Sequence, residues 1–217
     1  MTGNPPHRVL HFARPPPSGI SVLIGSIVKS NSHISYLCRV YGRLETGQVP
    51  EPHQYAFGNF VTLSPVLGSP VRLVGVVRDT LLLNPDYGNF GPRLSSDTEL
   101  AVFSPDYLNE KGVLVDVLIL GWTESGRVHH AVPAVSAQIG TVVELMSEED
   151  AEGFHRDANG KFLMGYLPPL MSRNDAMVAN LLLTILDRMA PAFPEGQRVI
   201  SVLRNNLAWK ARVVPAG

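Results

Sequence analysis

The chain has 217 residues and a formal net charge of −1; 45% of its residues are hydrophobic and 17% are charged. The near-zero net charge excludes a global basic field, so strong non-specific binding of nucleic acid by the whole chain is not expected. A single cysteine, Cys38, excludes an internal disulfide and a cysteine-rich zinc site. The charged share is low for a free-standing monomer. It indicates that a homo-oligomer or another protein partner covers part of the surface.

The N-terminal residues 1–18 are rich in proline and predict a flexible tail. The prolines interrupt any apolar stretch of the kind that a signal peptide needs. The sequence has no run of about 18 apolar residues, so we expect no transmembrane helix and no membrane association. These observations and the single cysteine fit a cytoplasmic protein.

From residue 19 the chain predicts short strands that are separated by turns rich in glycine and proline. The predicted extended segments are 20–29, 36–41, 55–63, 71–83, 100–103, 112–122, 128–132 and 141–145, with 162–166 as a further candidate. The segment 112–122 is almost continuously apolar and is expected to be the most buried strand. Gly75 is predicted to be either a bulge or a point of close approach between strands. No helical crossover precedes residue 147. This spacing is typical of a small antiparallel barrel or sandwich.

Helical patterns dominate the C-terminal part of the chain. Ser147 is the predicted N-cap of a short acidic helix that ends near His155. A strongly amphipathic helix is predicted from Ser172, as its N-cap, to Pro191, which ends it. Residues 195–214 predict a second helix, with a strand at 199–203 as the alternative. We therefore expect a β-rich α+β protein: a flexible tail at 1–18, a small antiparallel β-barrel domain at 19–166 and a C-terminal helical pair within 167–217.

Motifs that carry chemistry are weak throughout. The sequence has no P-loop, no dinucleotide fingerprint and no nucleophile elbow. Cys38 alternates with its neighbours as in a strand, which favours a buried structural thiol over a nucleophile. Asp116 lies inside an apolar run and needs a partner, for which Arg39, Arg72 and Arg78 are the candidates. We predict no catalytic residue, no metal ligand and no cofactor.

Three groups of residues are candidates for contacts with other molecules. The first lies in the loop 84–93, whose prolines and glycines hold an aromatic pair and an arginine; the alternative is a loop that only covers the end of the barrel. The second is the apolar stripe of the amphipathic helix. The third is the basic C-terminal segment. Its basic side chains either contact nucleic acid or only form the solvent-exposed side of a helix and complement its C-terminal dipole. The predicted partner-binding residues are Tyr87, Phe90, Arg93, Leu182, Ile185 and Met189, and the predicted nucleic-acid contacts are Arg198, Arg204, Lys210 and Arg212.

The order of the predicted strands carries a resemblance to a known family. A glycine-bearing strand at 22–28 is followed by 71–77, 112–122, Pro133 and a closing strand that runs into an acidic capped helix at 140–149. Residues 20–166 resemble the HAS-barrel, a small β-barrel at the front of HerA-type DNA translocases. Those proteins continue into a P-loop ATPase domain, whereas this chain continues into a helical pair. The resemblance therefore implies an accessory barrel without ATPase activity, with a HerA-type ATPase or a NurA-type nuclease as its partner.

The expected function is that of a non-catalytic adaptor in a DNA translocase–nuclease system that processes DNA ends. Two alternatives from other classes stay open. One is a metal-dependent hydrolase that uses His129 or His130 with Glu124 and Asp116, although adjacent residues of a strand face opposite sides and do not chelate one ion together. The other is direct nucleic-acid binding by the aromatic loop and the basic C-terminal segment.

Overall fold

The computed structural model describes residues 21–66, 68–83, 112–172 and 175–213. Within these residues the chain forms seven strands, followed by four α-helices. The strands are β1 (Leu23–Ser32), β2 (Ser35–Val40), β3 (Phe60–Leu63), β4 (Val71–Leu83), β5 (Gly112–Glu124), β6 (Arg127–His129) and β7 (Val142–Leu145). The helices are α1 (Glu148–Phe154), α2 (Leu167–Met171), α3 (Ala176–Met189) and α4 (Gln197–Val213).

Six of the strands close into an antiparallel barrel. Their order is β2-β1-β7-β3-β4-β5, and β5 pairs back onto β2 to complete the circle. β6 lies outside the circle and extends β5 as a hairpin, in which Trp122 pairs with His129. All pairings between these strands are antiparallel. The predicted fold class, a small antiparallel barrel followed by C-terminal helices, is confirmed.

Two glycines permit the close curvature of the barrel wall. The register of β4 and β5 shifts between Val74 and Gly75, which confirms the predicted bulge. A Cβ atom at Gly25 would lie 1.9 Å from the carbonyl oxygen of Arg39 on the neighbouring strand β2. Real Cβ atoms do not approach a backbone oxygen so closely, so only glycine allows β1 and β2 to meet at this point.

The wall formed by β3, β4 and β5 is buried on both faces. Successive residues of a strand point to opposite sides, and here Leu73 and Val77 belong to the core inside the barrel while Val74 and Val76 belong to a second core outside it. β5 repeats the pattern, with Val117 inside and Leu118 outside. The almost continuous apolar run 113–120, which only Asp116 interrupts, is therefore explained by two cores rather than by one.

The helices cover the outer face of this wall. α3 contacts β4, α2 and α4. The apolar stripe of α3 belongs to the outer core, and each of its six residues is at most 2% exposed: Val178, Leu181, Leu182, Ile185, Leu186 and Met189. The stripe is thus covered by the chain itself. Leu182, Ile185 and Met189, which were predicted to bind a partner, are not reachable without lifting α3 from the barrel.

Several predicted elements differ in detail. α1 begins after Ser147 as predicted, with the serine hydroxyl accepting from the amide of Asp150 at 3.1 Å. The N-cap of α3 is Asp175 rather than Ser172; its carboxylate accepts from the amide of Met177 at 2.9 Å. Both residue types cap helices well. In the structure Ser172 instead follows the end of the short helix α2, which contains the two prolines at 168 and 169.

Three further predictions are corrected. Residues 162–166 form no strand, since Phe162 makes only one isolated bridge, to Arg156. Segment 55–63 is a strand only from Phe60, because Gly58 turns the chain at a φ of 84°. Gln197–Val213 form the helix α4, so the strand alternative at 199–203 is wrong. The segment 100–103 and the loop 84–93 lie outside the described residues.

In the described part of the chain, no helix combines the length and apolarity needed to cross a membrane.

The outer core is expected to carry a large share of the stability. Leu182 is fully buried in that core, so Leu182→Ala should lower the free energy of unfolding by about 3 kcal/mol, the usual cost of emptying a leucine site. Leu82→Ala is the matched control, because Leu82 is 78% exposed and its truncation should cost about 0.5 kcal/mol or less. Urea unfolding of both variants measures the difference. Equal losses would show that α3 is not held by the barrel.

Candidate functional site

Two buried histidines lie where the barrel meets the helical layer. His155 follows α1 and is fully buried, and His130 follows β6 and is part-buried. Their rings lie 6.0 Å apart between centroids, and the ring of Tyr166 lies within 6 Å of both. Phe154 and Phe60 complete the aromatic surroundings, with Phe60 edge-on to His155 at 5.2 Å.

The hydrogen bonds of His155 leave no ring nitrogen free. A backbone carbonyl only accepts, so Nδ1 carries the proton and donates to the carbonyl oxygen of Ala151 at 2.7 Å. Nε2 then accepts from the hydroxyl of Tyr166 at 2.5 Å. Burial is the main cause that lowers the pKa of His155 to about 4; the nearby His130 and Arg188 act in the same direction, and the Ala151 hydrogen bond opposes them. The ring is therefore neutral near pH 7.

His130 is satisfied in the opposite tautomer. The amide of Gly165 donates to its Nδ1 at 2.9 Å, so Nε2 carries the proton and donates to the carbonyl oxygen of Phe154 at 2.8 Å. Burial also lowers the pKa of His130. Burial raises the pKa of Tyr166 well above its ordinary value. The cluster is thus a neutral, fully hydrogen-bonded network, which ties α1 to the segment before α2 and holds no free general base.

A second polar contact fastens the far end of α3. The guanidinium of Arg188 is ion-paired with Glu148 at the start of α1, and it donates to the carbonyl oxygen of Gly58 at 3.0 Å and to Asn59 Oδ1 at 3.2 Å. It also lies 5.3 Å from the ring centroid of Phe60. One arginine thereby joins α3, α1 and the start of β3.

The outer face of the barrel carries a third polar contact. Asp116 pairs with Arg78, one of its three predicted partners, and accepts from the hydroxyl of Ser35 at 3.2 Å. Arg78 also approaches Asp175, the N-cap of α3, at 3.8 Å. Asp116 is therefore a paired structural acid that links the barrel to the start of α3, and it is not available as a metal ligand in this arrangement.

Two further residues that the sequence analysis considered, Cys38 and His129, also have structural surroundings. Cys38 is buried inside the barrel, where burial raises the pKa of its thiol to about 12, as expected for a structural cysteine. His129 stacks on Trp122 at 4.7 Å, away from the ring of His130. Nowhere in the described ranges do three His, Cys, Asp or Glu side chains come close enough to hold a metal ion.

The predicted nucleic-acid contacts lie on α4. Arg198 is exposed, whereas Arg204 is ion-paired with Asp187 of α3. Lys210 and Arg212 lie in the last turns of α4. Tyr87, Phe90 and Arg93 lie outside the described residues, so their predicted role in partner binding stays a prediction. Apolar side chains on the outer side of α4 are also exposed, most of all Trp209.

An open groove of about 1320 Å³ lies on the barrel surface. It is bounded by β3, β4, β7, α1 and the turn between β5 and β6. In its wall Arg72 pairs with Glu144 at 2.9 Å and donates to Thr62 at 3.2 Å. Sequence reasoning missed this groove because no single segment forms it. It also missed Arg188, whose partner Glu148 lies 40 residues away.

Comparison with known proteins identifies a matching family but gives no activity. A family model described as a domain of unknown function (DUF8166) matches residues 16–216. No curated protein matches the chain.

The neutral state of His155 makes the stability depend on pH. The folded pKa is about 4, below the ordinary histidine value of 6.5, so the unfolded chain binds a proton that the folded chain excludes. The stabilisation is therefore complete above about pH 6.5 and falls as the pH drops towards 4, by about 3 kcal/mol in total. Urea unfolding at several pH values measures this slope.

The matched variants are His155→Gln and His53→Gln, since His53 is exposed. His155→Gln should flatten the decline of stability between pH 6.5 and 4, and His53→Gln should leave it unchanged. An unchanged slope in His155→Gln would contradict a buried neutral histidine.

Proposed function

We infer, for a chain that belongs to the DUF8166 family, a non-catalytic accessory role in which the folded barrel binds a protein partner. The observation that carries this proposal is the state of the buried polar groups. His155, Tyr166, Asp116 and Arg188 are each occupied by groups of the same chain. Their partners fasten the helices to the barrel, so these groups serve the architecture. The remaining sites of action are on the surface.

The interior of the barrel supports the same proposal. It is filled by side chains such as Ile24, Tyr36, Leu63, Leu73 and Val117, all of which are almost fully buried. Ligand pockets usually combine an apolar cavity with a few convergent polar groups. A filled interior of this kind favours a scaffold over a barrel that encloses a small molecule.

The outer side of α4 is the surface that best suits a protein partner. Val199, Val202 and Trp209 are 56%, 59% and 68% exposed and lie on the side of the helix that faces away from the outer core. Tryptophan and arginine are the residues most often found at interface hot spots, and Arg198 is exposed on the same helix. The low charged share of the chain fits a surface that a partner covers.

The partner classes that follow from the HAS-barrel resemblance are a HerA-type ATPase and a NurA-type nuclease. This finer assignment rests on the order of the strands, the closing strand that leads into a capped acidic helix, and the barrel architecture. The adaptor proposal itself does not depend on it, because an accessory barrel of another assembly would use the same surface.

Binding of the purified full chain to a HerA-type ATPase and a NurA-type nuclease from its own source tests this proposal. We expect saturable binding to one of them by biolayer interferometry. Trp209→Ala should weaken that binding by about 2 kcal/mol, the loss of a hot-spot side chain, with little change in melting temperature. Leu44→Ala is the matched control, because Leu44 is 74% exposed at a distant turn.

Three results would count against the proposal. Failure to bind either protein would remove the translocase–nuclease assignment. Equal effects of the two variants would remove α4 as the interface. Binding of short DNA by the full chain that weakens steeply with salt and is lost in Arg198→Ala would favour direct nucleic-acid binding instead.

A further inference from the structure

The surface groove combines an apolar floor with an acidic rim. Val74, Met146 and Phe154 contribute to the floor. The rim carries four carboxylates and two guanidinium groups: Glu144, Glu149, Asp150, Glu152, Arg72 and Arg156. The groove therefore has an excess of negative charge, in a chain whose net charge is only −1.

The excess is concentrated at the start of α1. Arg72 neutralises Glu144 at 2.9 Å, and Arg156 neutralises Glu152 at 3.5 Å. Glu149 and Asp150 pair with no cation among the described residues, and both are exposed. A ligand that brings positive charge to this part of the rim would therefore meet two carboxylates that have no cationic side chain as a partner among the described residues.

The dimensions of the groove favour a chain segment over a small molecule. Pockets for small ligands usually measure about 300–1,000 Å³, and this groove is larger, at about 1320 Å³. A peptide that fits it needs basic side chains for the rim and apolar side chains for the floor.

The chain itself supplies a segment with these properties. Ser21 and Val22, the first described residues, line the groove, so the preceding residues start at its wall. Residues 1–20 contain two arginines, Arg8 and Arg14, and no aspartate or glutamate. Between the arginines lie Val9, Leu10 and Phe12. Six residues, such as 15–20, can span up to roughly 20 Å when fully extended, so the length of the chain allows the arginine-bearing segment to follow the groove from its wall at Ser21.

We propose that the groove binds residues 7–14 of the same chain, with Arg8 and Arg14 paired to the acidic rim and the apolar residues between them on the floor. The N-terminal segment then occupies an interaction surface on the barrel and competes there with any other basic peptide. This assignment is independent of the partner proposed for α4.

The test uses a labelled synthetic peptide of residues 5–16 and a variant that lacks residues 1–15. By fluorescence anisotropy, the peptide should bind the truncated chain with an affinity that falls as salt increases, because ion pairs contribute to it. The full chain should bind the same peptide at least tenfold more weakly, because its own segment already occupies the groove.

Charge variants of the truncated chain locate the site. Glu149→Lys should weaken peptide binding at least tenfold, whereas Glu195→Lys, the same charge change at an exposed residue that does not line the groove, should not. Equal melting temperatures of the two variants would exclude misfolding as the cause. Glu149→Gln gives a milder second variant in case the reversal unfolds the start of α1.

Four results would overturn the proposal: no binding of the peptide to the truncated chain, equal effects of the two charge reversals, equal affinities of the full and truncated chains, or a full chain of twice the monomer mass that becomes monomeric on truncation. The last result would place the segment in the groove of a second copy.

Discussion

The structure depends on one constraint: the wall formed by β3, β4 and β5 is apolar on both faces. Val74, Val76 and Leu118 point away from the barrel interior and are nevertheless fully buried. A sheet of this kind is stable only when a second layer covers its outer face, and here α3 is the main cover. Polar contacts then fix the two ends of α3: Arg78 with Asp116 and Asp175 at its start, and Arg188 with Glu148 near its end. Apolar burial therefore holds the helix on the barrel, and the polar contacts set its orientation.

The fold class could be predicted because its signals are local. Alternation within short segments, glycine and proline between them, and an amphipathic stripe after residue 175 are all visible in the sequence. The closure of the barrel is not, because the pairing of Ser35 with Leu118 joins residues that lie 83 positions apart. The almost continuous apolar run 113–120 indicated burial but did not reveal two cores. The N-cap of α3 was misplaced by three residues because Ser172 and Asp175 are equally good local signals.

The candidate sites, like the fold, could be predicted from the sequence only in part. An amphipathic stripe shows that a helix face is covered, but not by what; for Leu182, Ile185 and Met189 the cover is the chain's own barrel. The partner of Asp116 was among three predicted arginines because a buried acid must pair, whereas nothing local marked Arg188 or the tautomers of His130 and His155. A groove built from five elements has no pattern in any one of them.

The most direct measurement asks whether the barrel and the helices unfold as one unit. In the Trp209→Phe variant the fluorescence of Trp122 in β5 reports on the barrel, since the chain has two tryptophans, and circular dichroism at 222 nm reports mainly on the helices. We expect both signals to change at the same urea concentration, because removal of the helices uncovers the outer apolar face. Loss of the helical signal at a lower urea concentration, with the Trp122 signal unchanged, would contradict the account and show that the barrel is stable without its helical layer.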